Sequence, residues 1–334
     1  MADAASTVRV VITGGSGFLG SLLARRLLTC PLTLRGGQAA QVGELLLVDL
    51  VAPPADLAAD SRVRPVVGEL GTALGELGEV DAVFHLAGVV SGAAEADFDL
   101  GLRTNVDGTR GLLEYGRQHR VPPVFVFTSS LAVFGSDPAI GPIGVVDDDT
   151  LPRPQSSYGI QKFIGEQLVA DYARKGFVKG RSVRLMTVSV RPGKPNAAAS
   201  SFLSGIIREP LAGQRSVCPV PPDTPVALSS PRRTLQGIVL AAEASDASWG
   251  SLTAMNLPAL TTTPRQMAAS LDRVAGAGTS DRIDWSEDPH TGAIVRSWPA
   301  EFRTPRAEAL GLRAEDSFDK IVRAYLADNP GAGS

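Results

Sequence analysis

Tyr158 and Lys162 stand four residues apart in Ser157-Tyr158-Gly159-Ile160-Gln161-Lys162. On a helix that spacing puts a phenol and an ammonium group on one face. Such a pair can do acid–base chemistry: the phenol exchanges a proton with a hydroxyl, and the cation favours the phenolate. A free tyrosine has a pKa of about 10, so a phenolate at neutral pH needs a shift of roughly 3 units, or about 4 kcal/mol. A neighbouring positive charge supplies part of that shift. The same spacing occurs on ordinary surface helices, so the surrounding elements decide its meaning.

The first of those elements is the apolar run Val8–Ile12, which reads as a buried strand. It leads into Thr13-Gly14-Gly15-Ser16-Gly17-Phe18-Leu19-Gly20 and then a helical pattern through Leu22, Leu23 and Leu27. Strand, glycine turn and helix are the setting of a dinucleotide fingerprint, here with G-x-x-G-x-x-G spacing. Gly14 permits the tight turn, Gly17 lets backbone approach a pyrophosphate, and Gly20 lets the helix pack close to the strand. The helix start around Ser16, Phe18 and Leu19 offers free N–H groups to phosphate. The next strand, Leu45-Leu46-Leu47-Val48-Asp49, ends in a carboxylate placed to bond a ribose hydroxyl and repel a 2′-phosphate. That predicts NAD rather than NADP as the cofactor. Residues 29–43 read as an enlarged loop before that strand.

Strands and helices then alternate. Val63–Val67, Val80–Leu86, Val124–Phe127 and Val183–Val190 read as strands; Ala96–His119 reads as one long helix and Ser156–Lys175 as the helix carrying Tyr158 and Lys162. The alternation predicts an α/β fold, a doubly wound parallel Rossmann sheet. Ligands of such sheets sit beyond the carboxyl ends of the strands. Gly14, Asp49, Ala87-Gly88, Ser129-Ser130 and Arg191-Pro192-Gly193 all fall there. After residue 190 prolines become frequent, with short helices near 201–211, 232–243, 264–274 and 317–326. We expect residues 1–190 to form the NAD-binding domain. Residues 191–334 should form mainly a smaller C-terminal α+β substrate lobe, with some segments returning to the sheet.

The chain has 334 residues and a formal net charge of −3. Charges of both signs are spread along it, without the basic patch a nucleic-acid partner would need. No apolar stretch is long enough for a membrane span. Two cysteines, Cys30 and Cys218, and three scattered histidines predict neither a disulfide framework nor a metal site, and a cytoplasmic setting fits.

With these segments in view, the chain resembles the extended short-chain dehydrogenase/reductase family. The resemblance rests on Thr13–Gly20, His85-Leu86-Ala87-Gly88, Asn105-Val106-Asp107-Gly108-Thr109, Thr128-Ser129-Ser130, the Tyr158–Lys162 pair and Arg191-Pro192-Gly193. It implies that Tyr158 is the catalytic base, that Lys162 lowers its pKa and holds the nicotinamide ribose, and that Ser130 orients the reacting hydroxyl, with Ser129 as the alternative register. Asn105 joins the catalytic set. Glu69 and Leu70 would lie near the adenine and Ala87 and Gly88 near the pyrophosphate and ribose; Asn105, Thr128 and Pro192 complete the expected cofactor contacts. A homodimer through the long helix and the Tyr158 helix is also implied.

Residues 89–100, 189–202 and 218–222 more specifically resemble sugar-acid dehydrogenases of that family. They imply NAD-linked oxidation of the C2 hydroxyl of a four-carbon sugar acid. A carboxylate substrate needs a cationic partner, for which Arg232 and Arg233 are the candidates; Ser91, Asn196 and Ser200 could bond sugar hydroxyls. A nucleotide-sugar 4-epimerase, or another extended short-chain dehydrogenase acting on a different hydroxy substrate, remains the alternative. Leu131-Ala132 after Ser130 lacks the acidic pair of the dehydratases.

Overall fold

Successive apolar residues of the strands face opposite sides of one sheet. Val10, Ile12, Leu45, Leu47, Phe84 and Val126 pack in one core cluster, while Val11, Leu46, Val48, Val83, Phe125 and Phe127 pack in another. A strand has a side-chain period of two, so continuous apolar runs bury both faces. The computed structural model describes residues 6–331. Its strands are β1 (Thr7–Thr13), β2 (Gln41–Asp49), β3 (Val63–Val67), β4 (Ala82–His85), β5 (Val124–Ser130) and β6 (Lys179–Leu185), then β7 (Thr187–Val188), β8 (Ser216–Cys218), β9 (Val226–Ser229), β10 (Met255–Asn256), β11 (Leu260–Thr262) and β12 (Ile283–Trp285).

The main sheet has seven parallel strands in the order β10-β6-β5-β4-β1-β2-β3. This is the doubly wound Rossmann arrangement, and the order reverses between β1 and β4. Leu23 and Leu27 of the Phe18–Thr29 helix cover one face together with Ile238 and Val239 of the Pro231–Glu243 helix. Leu112 and Leu113 of the Gly108–Arg117 helix and Val169 of the Ser157–Arg174 helix cover the other. Residues beyond 190 therefore supply both a strand and a helix to this sheet. The remainder builds two small sheets, β11-β9-β7 and β12-β8, around a core that includes Leu203, Ile206, Met267, Leu271 and Val322.

Two elements differ from the sequence reading. The expected strand Val183–Val190 is split: β6 ends at Leu185, and Thr187–Val188 pairs with β9 in another sheet. The expected helix 96–119 is broken. Ser91–Ala96 ends at Asp97, whose extended backbone (φ −134°) and side chain cap a new start by accepting from the Leu100 N–H at 2.9 Å. A π-helical segment, Leu102–Asp107, follows before Gly108–Arg117. Such wide turns often mark functional positions, and this one carries Asn105.

Candidate active site

The glycine turn closes onto the sheet where its strand order reverses. Gly14 has φ +70°, and a β-carbon there would lie 2.9 Å from the Ala87 nitrogen, after β4. A β-carbon on Gly20 would lie 2.0 Å from the Gly14 carbonyl oxygen. The turn is therefore bare backbone by necessity, and no side chain caps the helix that begins at Phe18. Its first N–H groups lack intrahelical partners and favour an anion. Asp49, at the end of β2, accepts from the Ser16 N–H at 3.0 Å and the Leu50 N–H at 2.7 Å.

A cleft of about 820 Å³ runs along this edge of the sheet. Gly14, Gly17, Phe18, Leu19 and Gly20 line it, joined on the β2–β3 side by Asp49, Glu69 and Leu70. Ala87, Gly88 and Thr128 follow β4 and end β5. On the β5–β6 side are Ser129, Ser130, Tyr158 and Lys162, with Ser91, Asn196 and Ser200. An uncapped helix start, a glycine cradle and a strand-end acid in one cleft fit a dinucleotide such as NAD.

Tyr158 reaches Ser130 through close packing. The helix starts at a Ser156 cap that accepts from the Gly159 N–H at 3.2 Å, and a β-carbon on Gly159 would lie 2.1 Å from the Ala132 carbonyl oxygen. That contact seats the helix on the turn after β5. Burial pushes the Tyr158 phenol above its usual pKa, while the Ser130 hydroxyl and the Arg191 charge pull it down. The Ser130 hydroxyl accepts from the Ala132 N–H at 3.1 Å. Lys162 donates to the Thr128 carbonyl at 3.0 Å and lies 5.9 Å from the centre of the Tyr158 ring. Burial lowers its pKa to about 8, opposed by the charge of Glu166.

Asn105 stands behind the cleft wall. Its oxygen accepts from the Val89 N–H at 2.8 Å, and its amide donates to the Val89 carbonyl at 3.0 Å and to Gln161 at 2.8 Å. The buried His85 links this segment to the glycine turn. Thr109 donates to the Asn105 carbonyl at 2.7 Å, so it accepts from His85 Nε2–H at 2.9 Å. Nδ1 is then bare and accepts from Thr13 at 2.6 Å. Burial drives the His85 pKa down to about 3, as a neutral ring requires.

Several expected site residues lie off the cleft wall or are already bonded within the fold. Arg232 and Arg233 do not line the cleft. They begin the Pro231–Glu243 helix, turned to Glu315 at 4.0 Å and 3.8 Å, and the Arg232 side chain is 77% exposed. Ser129 commits its hydroxyl proton to Glu166 at 2.5 Å, which leaves its oxygen only an acceptor role at the cleft. Ser91 accepts from the Ala199 N–H at 3.1 Å, and Asn196 accepts from the Ala198 N–H at 3.1 Å, so both hold the covering loop. Ser16 and Pro192 are off the cleft wall; Ser16 instead bonds Asp49 and the Val51 carbonyl.

Arg103, Lys162 and Arg191 are the cations that line the cleft, and of the two arginines it is Arg191 whose charge reaches Tyr158. Its Nε donates to the Val188 carbonyl at 3.1 Å, its backbone N–H to Ser204 at 3.0 Å, and its carbonyl accepts from Arg208 at 2.9 Å. Its charge acts on Tyr158. Its place at the carboxyl edge of the sheet was the available signal, since ligands gather there. Trp298 also lines the cleft from the C-terminal region, where no motif marked it.

Comparison with known proteins places the chain in a family. Residues 10–225 match the model of the NAD dependent epimerase/dehydratase family. A D-erythronate dehydrogenase of Cupriavidus necator is 50% identical over 96% of this chain and 98% of its own length. A D-erythronate dehydrogenase of Haemophilus influenzae is 41% identical over 96% and 99%. The crystal structure of a nucleoside-diphosphate-sugar epimerase from Agrobacterium tumefaciens superposes with TM-score 0.86 at 34% identity, covering 100% of this chain and 98% of that one. With its Rossmann sheet and matching cradle, the chain belongs to the NAD dependent epimerase/dehydratase family and is an enzyme with NAD as its cofactor.

Proposed function

We propose that this enzyme oxidises the C2 hydroxyl of D-erythronate, a four-carbon sugar acid, to the 2-oxo acid. The observation that carries the reading is Arg191, a guanidinium in the cleft whose charge acts on Tyr158. A hydroxy acid carries its carboxylate one carbon from the reacting hydroxyl. A cation beside the base therefore suits an acid substrate, and a guanidinium can take a carboxylate through two N–H groups. The four-carbon identity is supported by the two relatives named D-erythronate dehydrogenase.

Bound NAD supplies the two-electron acceptor. Tyr158, as phenolate, accepts the proton of the C2 hydroxyl. Ser130 holds that hydroxyl toward Tyr158, and the Lys162 charge favours the phenolate. Asn105 fixes the Val89 backbone on the cleft wall through two hydrogen bonds. Holding acid, base and substrate together supplies much of the rate. In this reading residues 1–190 mainly hold the cofactor and residues 191–334 mainly hold the substrate. Exposed Phe98, Ile160 and Ile164 on the outer helices form the face for a second copy.

The test is NADH absorbance with D-erythronate, L-threonate, D-threonate, L-threonine and one UDP-sugar. NADH from D-erythronate, with the product carbonyl located at C2 by NMR, is the expected result. Interconversion of the UDP-sugar without net NADH would overturn the substrate and keep the site. A carbonyl at C3 would overturn the position of attack.

A further inference from the structure

The Tyr158 helix carries a third polar residue one turn beyond Lys162. Glu166 is 2% exposed. One carboxylate oxygen accepts from Ser129 at 2.5 Å and from Arg184 Nε at 2.9 Å; the other accepts from Arg184 Nη2 at 2.8 Å. Ser129 and Arg184 are direct partners across β5 and β6. The Arg184 guanidinium lies 4.8 Å from the centre of the Phe134 ring, and Nη1 reaches Asn256 at 3.4 Å. Asn256 donates to the Asp147 carbonyl at 3.0 Å. One chain of buried bonds thus joins the helix, three neighbouring strands and the segment at residue 147.

A buried ion pair costs desolvation that apolar packing of the same volume would avoid. Stability alone is therefore a poor account of this one. Its position suggests another role. Among the described residues Lys162 has no salt-bridge partner, and its one hydrogen-bond acceptor is the neutral Thr128 carbonyl. The acid whose charge acts on it is Glu166.

We infer that Glu166, locked in place by Arg184 and Ser129, is a positioning residue that keeps the Lys162 ammonium charged beside Tyr158. The inference rests on the role proposed for Tyr158 and Lys162. Other groups around the pair do not supply that negative charge. The strands beneath contribute neutral His85 of β4 and Thr128 of β5; the neighbouring π-helical segment contributes buried Asn105, while its acid Asp107 is solvent-exposed on the cleft wall. Arg191 and Arg184 are cations. Glu95 is occupied at the helix start, accepting from the Ser157 N–H at 2.9 Å, and Glu114 is held by Tyr172 and Arg117.

The consequence is readable in the pH dependence. Without the Glu166 charge, Lys162 loses its proton at lower pH and the Tyr158 phenolate forms only at higher pH. Because Glu166→Gln alone strands Arg184, the test uses the double variant Glu166→Gln with Arg184→Gln, beside Glu166→Asp, which keeps the charge. Two readouts are taken for each: the acid limb of kcat/KM with D-erythronate and NAD, and the tyrosinate absorbance titration of the enzyme alone, with Tyr158→Phe as background. We expect the double variant to move both midpoints upward by about half a unit or more, and Glu166→Asp to stay near wild type. A double variant that binds NADH but loses turnover with unmoved midpoints would overturn the inference and leave a structural pair. The titration needs no substrate. A shifted titration with no turnover of D-erythronate by the wild type would therefore keep the inference and sink only the substrate.

Discussion

Ser129 and Ser130, adjacent on β5, serve the same helix about two turns apart: Ser129 donates to Glu166, and the Ser130 hydroxyl acts on the phenol of Tyr158, pulling its pKa down. The register of two neighbouring serines therefore has a chemical meaning. Ser130→Ala should lower kcat by about 10²-fold, the cost of a misplaced reacting group. Ser129→Ala should lose far less turnover and show its cost in unfolding, about 1 kcal/mol for one hydrogen bond. Equal kinetic losses would contradict the assignment.

Tyr158→Phe should remove the proton acceptor and lower kcat by about 10²–10⁴-fold. NAD binding, measured by calorimetry, should survive. Near-normal turnover would remove Tyr158 from the chemistry.

Arg191→Met should raise KM for hydroxy acids far more than for neutral polyols, by about 10–100-fold for a lost charge-assisted contact. Arg191→Lys should recover part of this, since an ammonium lacks the two-pronged geometry. Arg233→Ala should change neither, because Arg233 faces Glu315 outside the cleft. A large KM effect at Arg233 with none at Arg191 would reverse the two assignments.

Asp49→Ala should weaken the preference for NAD over NADP by removing the carboxylate that repels a 2′-phosphate. An unchanged ratio of kcat/KM for the two cofactors would show that Asp49 does not read the ribose.

His85 gives a stability prediction. Its pKa in the fold is about 3, below the ordinary 6.5, because burial disfavours the imidazolium. Under acid the unfolded chain takes up this proton first, so stability falls as pH drops from 6.5 toward 3. The loss is at most about 5 kcal/mol for a shift of that size. The difference in urea stability between wild type and His85→Gln should shrink through this window. A gap independent of pH would mean that His85 is not the titrating group.

Local patterns made much of this protein legible before its fold was known. The glycine turn and the Tyr158–Lys162 pair each lie within a few residues, so spacing alone places them together. The carboxylate partner proposed here differs from the one the sequence suggested, because position in the fold, not residue type alone, decides which arginine reaches the cleft. Arg232 and Arg233 look available in the sequence, but Glu315, more than 80 residues later, engages them. Arg191 stood inside a quoted motif without a role, because nothing local shows that its side chain enters the cleft. The break at Asp97 follows from a cap that interrupts an otherwise helical apolar pattern. Strands such as β7 and β10 are two residues long, too short to show any alternation. Trp298 reaches the cleft only through tertiary packing with Leu131 and Met186.

The enlarged loop, which the structure confines to residues 30–40, has a mechanical consequence. It lies at the amino end of the strands, where the Thr33 N–H donates to Glu243 at 3.3 Å and Arg35 pairs with Asp246. Asp246 also pairs with buried Arg181 of β6 at 2.6 Å. At the other end, the loop over the cleft is held to Ser91 through the single Ala199 N–H bond. The two ends are therefore held differently: charge ties the amino end together within the sheet's own layer, and one hydroxyl holds the loop over the cleft to the Ser91 helix. We predict that hydrogen exchange is fast at Ala199 and slow at Arg181, and that Ser91→Ala speeds only the first. The loop over the cleft would then open more readily than the charged amino end of the sheet.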